Sequence, residues 1–196
     1  MRRSGWLCPI LTIAGALVGE PIAAQSHQRP AMLVADLVFN GASANAIQPG
    51  DTAIAQVATE RLRADLAQSN TFVLVDSSSA GEALGTADLP RAQCSASKDC
   101  VRTVAQKVGA RWVVTGTVTK ISNLIWYLSA QLIDVASGRL LLDDSFELKG
   151  PRDEIVPRGA TSFARRIEKA AARDAGTADR SQRPGSQHPR RTELPQ

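Results

Sequence analysis

The stretch RWVVTGTVTKISNLIWYLSAQLIDVASGRLLLDDSFEL, residues 111–148, decides the fold. Hydrophobic residues recur at every second position in three consecutive runs, the period of strands with one covered face. In the first run Trp112, Val114 and Val118 point one way, and Arg111, Thr115, Thr117 and Thr119 point the other. Trp126, Leu128, Ala130 and Leu132 repeat the pattern, and Leu140, Leu142, Phe146 and Leu148 repeat it again, with Asp144 as the exception. An antiparallel meander with one dry and one wet face is expected. Ser122-Asn123 breaks the first pair of strands, and residues 134–138 close the second, with Gly138 free to take positive φ.

Working outward, the apolar run AMLVADLVF at 31–39 has the length and composition of a strand buried on both faces. Residues 40–50 are turn formers without helical period. Asp51 is expected to cap a helix whose stripe is Ile54, Val57, Ala58, Leu62 and Leu66. TFVLV at 71–75 reads as a second buried strand, and residues 76–96, rich in Ser, Gly and Ala, read as a long connection. Ser97 can cap a second helix with Val101, Val104, Ala105 and Val108 inward and Gly109 as its stop. After the meander, Gly150-Pro151 is a break. A helical period then returns through Val156, Ala160, Phe163, Ile167 and Ala171, with Arg165, Arg166, Glu168 and Lys169 on a solvated face and Pro157 near the start.

The resulting order, β-α-β-α-β-β-β-α, defines an α/β (α+β) domain with a mixed five-stranded sheet. Right-handed crossovers make the first three strands parallel, and the meander extends the sheet antiparallel, in the order 2-1-3-4-5. The alternation in the meander leaves one face of that half open to solvent or to a partner.

At the amino end, Arg2 and Arg3 precede an apolar run from Trp6 to Val18, and Ile22-Ala23-Ala24 offers small residues before Gln25. Residues 1–24 are expected to be a cleaved secretory signal peptide, the run being shorter than the roughly 20 residues of a spanning helix. No membrane span is then expected after cleavage. Residues 25–172 form the single domain, and residues 173–196, where Arg, Asp, Ser, Gln, Pro and Gly replace the hydrophobic pattern, are expected to be a disordered basic tail.

Export sets the reading of the cysteines. With Cys8 removed, Cys94 and Cys100 remain in an oxidising compartment, and a structural disulfide is expected. A metal site would need further Cys or His ligands, whereas His27 and His188 lie near the chain ends. A redox pair usually has two intervening residues, and here five intervene. No cofactor or metal site is expected. Of the formal charge of +4, the leader carries +1 and the tail +2, and the domain between them, at +1, is near neutral, which argues against nucleic acid as a partner.

No catalytic constellation is legible. Ser77-Ser78-Ser79 has no nucleophile-elbow context, and Asp143 and Asp144 are adjacent strand residues that face opposite ways. Gly41 and Gly50 are too sparse for a phosphate loop. Asp144, on the nominally apolar face, and Tyr127, on the open one, are the candidate contact residues. No enzymatic activity is expected.

The motifs VADLVF (34–39), LRADLAQS (62–69), TFVLVD (71–76), VGARWVVTGTVTKI (108–121) and LSAQLIDVASGRLLL (128–142) together resemble the TolB amino-terminal-type α/β domain and the related cores of CsgG-like envelope proteins. The resemblance is closer still to uncharacterised families of predicted secreted proteins in which this domain stands alone. It covers roughly residues 31–170. It implies a non-enzymatic accessory protein in the periplasm of a Gram-negative bacterium, or secreted from it, that binds or helps assemble an envelope complex or an exported enzyme. Unlike in the respective families, no propeller is expected after the domain, and no pore-forming segments or lipid anchor are expected. The alternative expectation is a small-ligand site at the carboxyl ends of the parallel strands, where the loop at 40–50 and the connection after Asp76 should meet.

Overall fold

A computed structural model describes residues 29–41, 47–85 and 89–182. The expected leader and residues 183–196 of the expected tail lie outside the described residues. The strands are β1 (Ala31–Val34), β2 (Val38–Asn40), β3 (Val73–Leu74), β4 (Trp112–Lys120), β5 (Ile125–Asp134) and β6 (Leu140–Lys149). The helices are α1 (Ile54–Leu66), α2 (Ser77–Gly85), α3 (Arg91–Ala96), α4 (Lys98–Lys107) and α5 (Arg152–Gln182). One mixed sheet runs β3-β1-β4-β5-β6, with β2 also paired to β4. The parallel half, the meander and the strand order are those expected.

The sixth strand arises because the run 31–39 is broken. Val34 stands opposite Val114 and Val38 opposite Thr117, so three residues, Ala35, Asp36 and Leu37, face two on β4. This bulge frees the Leu37 N–H from the ladder, and Thr59 Oγ1 of α1 accepts it at 2.9 Å. Gly116 lies opposite the bulge. A Cβ there would fall 2.7 Å from Leu37 Cδ2 and would collide with the Ser129 carbonyl, so only glycine admits the bulged chain.

The even residues of β4 and β5 lie under α1 and α5, which also partly cover Leu142, Phe146 and Leu148 of β6. Trp112, Val114, Val118, Trp126, Leu128 and Leu132 pack there with Leu62, Leu66, Val156, Phe163 and Ile167. Burying such side chains contributes about 1.5–3 kcal/mol each. The opposite face is covered only at one end, where Leu33, Val113, Ile133 and Val135 meet Cys94, Val101, Val104 and Ala105. Beyond Val113 the odd residues of β4 become threonines; Thr115 is still buried beside α3, and helical cover thins after it. Gly138 takes φ of 72° in the turn, as its position requires.

Six expectations need correction. The buried strand expected at 71–75 is only the edge strand Val73–Leu74, with Val73 exposed, and Leu140 of the third run, next to a register shift, is exposed and not on the dry face. The connection 76–96 carries α2 and α3, and the Asp76 carboxylate caps α2 by accepting from the N–H groups of Ser78 and Ser79. Val57 is exposed and does not join the α1 stripe. Asp51 does not cap α1, whose N-cap is Ala53 without a side-chain bond. The last helix does not end at Ala172 but continues to Gln182, so residues 173–182 are helical and not a disordered tail.

Candidate functional site

The open face of β4, β5 and β6 is built by pairing geometry. The Ile121 N–H bonds the Ile125 carbonyl and the Gly150 N–H bonds the Leu124 carbonyl, so odd residues of β5 bond β4 and even ones bond β6. On the open face the β5–β6 pairs are therefore the non-hydrogen-bonded ones, whose side chains stand closest. They form a polar ladder. Tyr127 Oη donates to Glu147 Oε2 (3.0 Å), Ser129 Oγ meets Ser145 Oγ (3.1 Å) and Gln131 Nε2 donates to Asp143 Oδ1 (2.9 Å). The carboxylate of Glu147, bonded by Lys149 and Tyr127, is held below its usual range, while the same hydrogen bond raises the Tyr127 phenol. Tyr127, at one end of the ladder, remains exposed.

Asp144 points to the other side, as its neighbour Asp143 does not. Its carboxylate pairs with Arg166 of α5, whose guanidinium lies 5.2 Å from the centre of the Phe146 ring. It also accepts the N–H of Ser145 at 2.9 Å. Tyr127 and Asp144 are thus on opposite faces, and the fold does not bring them together.

Cys94 of α3 and Cys100 of α4 form a disulfide with Cα atoms 5.2 Å apart. Ser97 between them caps α4, its hydroxyl accepting the Cys100 N–H. Among the described residues there is no group of three or more His, Cys, Asp or Glu arranged to hold a metal ion. No helix among them is long and apolar enough to cross a membrane.

Three charged clusters escape a reading of periodicity. Asp51 and Lys120 are each 1% exposed, with Lys120 Nζ 2.5 Å from Asp51 Oδ2. Arg152 bonds the other oxygen of Asp51 and, through Nη2, the Pro49 carbonyl. Burial alone would raise the Asp51 pKa, but hydrogen bonds from Lys120, the Gln48 N–H and Arg152 outweigh it and hold the carboxyl below its ordinary value. The even parity of Lys120 in β4 was the one available signal, since it sets a cation on the dry face. Asp174 likewise takes Arg111 (2.8 Å), Arg139 (2.6 Å) and Trp112 Nε1 (3.1 Å). Burial opposes its charge, and these donors lower its pKa in spite of it.

The third cluster edges a groove of about 760 Å³ between α1 and α3, floored by Leu37, Val38 and Phe39. Asp36, in the bulge, bridges Arg63 of α1 (3.0 Å) and Arg91 of α3 (2.8 Å). The groove brings the chain after β1 against α3 of the connection following Asp76. Residues 42–46 of the expected loop lie outside the described residues.

The architecture is that of a mixed α/β domain with helices on one full face and half of the other. The chain belongs to the family described as "Protein of unknown function (DUF2380)", whose model matches residues 31–167. No curated protein matches it. Among solved structures it is similar to the LpoB C-terminal domain from Salmonella enterica, at 22% identity and a TM-score of 0.50 over 65% of this chain and 88% of that one. The corresponding domain from Escherichia coli gives 21% identity and 0.46, over 62% and 84%. TolB from Acinetobacter baumannii gives 19% and 0.44, this chain covering 28% of that protein. At these identities the likeness is one of fold.

Proposed function

We propose that this protein is a non-enzymatic accessory protein of the bacterial envelope that docks on a protein partner through the open face of β4, β5 and β6. The observation that carries this is the asymmetry of cover. On one side β4 and β5 are buried beneath α1 and α5 and β6 is partly covered, while on the other the ladder from Tyr127–Glu147 to Gln131–Asp143 faces solvent. The ladder fixes its donors and acceptors before a partner arrives, which lowers the ordering cost of docking. The motif resemblance supports an envelope setting, and the fold it shares with the LpoB C-terminal domain agrees with a role other than catalysis. Pull-down from periplasm with the intact chain should recover one stoichiometric partner. Ser129→Arg, which plants a bulky cation at the centre of the ladder, should abolish that recovery while leaving the circular dichroism and melting temperature unchanged. Equal recovery by the variant would defeat the reading.

A second reading, a small-ligand site, is favoured by the groove at the bulge. Its volume of about 760 Å³ lies in the range of ligand pockets, and it sits beyond the carboxyl end of a parallel strand. A thermal-shift screen of periplasmic metabolites should then give a stabilising hit that Arg91→Ala removes; a screen without hits would leave only the first reading.

A further inference from the structure

The outer edge of β6 has no strand beside it among the described residues, and it is ten residues long. Because the Gly150 N–H and the other even residues turn toward β5, the backbone groups of Asp143, Ser145, Glu147 and Lys149 point outward. Such an edge is a template for another strand. In the middle of it, the Asp144 carboxylate bends over the edge and accepts the outward N–H of Ser145 at 2.9 Å. Its second oxygen is held by Arg166. One acidic side chain thus covers a backbone donor that a docking strand would need, and is itself braced by α5.

We infer that Asp144, positioned by Arg166, is a guard that keeps β6 from pairing with β6 of a second copy of this chain. The second copy is the occupant that the edge's own charges select. Two antiparallel copies related by a two-fold axis through Phe146 place Lys149 opposite Asp143 twice and Ser145 opposite Glu147 twice, with Phe146 against itself. Shifting the axis to Ser145 sets Asp143 against Glu147, and shifting it to Glu147 sets two glutamates together. Only the register centred on Phe146 joins opposite charges without opposing like ones while keeping the strand paired from 143 to 149. That register also sets Asp144 beside the second copy's Leu148, so the guard opposes pairing twice: it occupies the Ser145 N–H, and its charge would be drawn from water against an apolar side chain. The inference concerns self-association and does not depend on the docking role of the open face.

The test is sedimentation equilibrium on the full-length chain. The unsubstituted protein should be monomeric, and Asp144→Thr, which removes the guard and favours a strand, should shift it to a dimer at micromolar concentration. Adding Lys149→Glu to Asp144→Thr should restore the monomer, and adding Asp143→Lys to that pair should bring the dimer back. A folded Asp144→Thr monomer, a dimer indifferent to Lys149→Glu, or a dimeric unsubstituted protein overturns the inference. Hydrogen exchange on the unsubstituted chain provides a readout that does not depend on any variant folding. The Ser145 amide should exchange at least about tenfold more slowly than the equally outward amides of Asp143 and Glu147, and equal rates overturn the guard.

Discussion

Asp51 shows what a single side chain decides. Its carboxylate is closed off from water and carries bonds from Lys120, Arg152 and the Gln48 N–H, which tie the loop before α1 to the end of β4 and the start of α5. Asp51→Ala would leave Lys120 charged, buried and unpaired, and should cost about 3–5 kcal/mol, read as a lower urea midpoint. Asp51→Leu combined with Lys120→Met should recover most of that loss, because removing both charges also removes their desolvation penalty. Acid should act through the same groups. The folded-state pKa values of Asp51 and Asp174 lie below the 3.8 of a free aspartate, so the stability they confer is complete above that value and decays as the pH falls through the folded ones. Asp174→Asn should be less stable than the parent at neutral pH. The gap, read by denaturant titration at a series of pH values, should narrow as the pH falls below 3.8 and through the folded-state pKa of Asp174.

At the scale of elements, α3 depends on its fastenings. It spans six residues, too few to hold itself, and is secured by the disulfide to α4 and by Arg91 on Asp36. Replacing Cys94 and Cys100 by Ser should lower stability by about 2 kcal/mol and the melting temperature by about 5 °C, without loss of the sheet signal in circular dichroism. Elements fixed by their own period were legible from sequence: the three runs of the meander, α4 with its Ser97 cap, and the apolar stripe of α5. Elements fixed from a distance were not. The bulge at Ala35-Asp36-Leu37 depends on Thr59 and Gly116, and nothing within the run 31–39 announces it. The helices α2 and α3 are not legible in the sequence because serine, glycine and alanine give no amphipathic period; only the Asp76 cap points to the first. The polar ladder followed from alternation, yet the groove could not, since Asp36, Arg63 and Arg91 are brought together only by tertiary structure.

For the whole molecule, the domain boundary moves. A fragment ending at Ala172 keeps the apolar stripe from Val156 to Ala171 but loses Ala175, which packs against the core, and Asp174, leaving Arg111, Arg139 and the Trp112 indole N–H without that acceptor. Such a fragment should melt about 5 °C or more below one ending at Gln182 in differential scanning calorimetry, a cost of about 1–3 kcal/mol for the orphaned buried donor alone. The same clamp bears on the order in which the molecule can be completed. Asp174 lies 62 residues after the tryptophan whose indole it accepts, so the amino-terminal end of β4 is sealed by a side chain that emerges after all six strands have been made. Long-range closures of this kind come late in folding. If the expected leader directs export, the sheet stays unclamped until Asp174 has crossed, by which point all six strands are already on the far side.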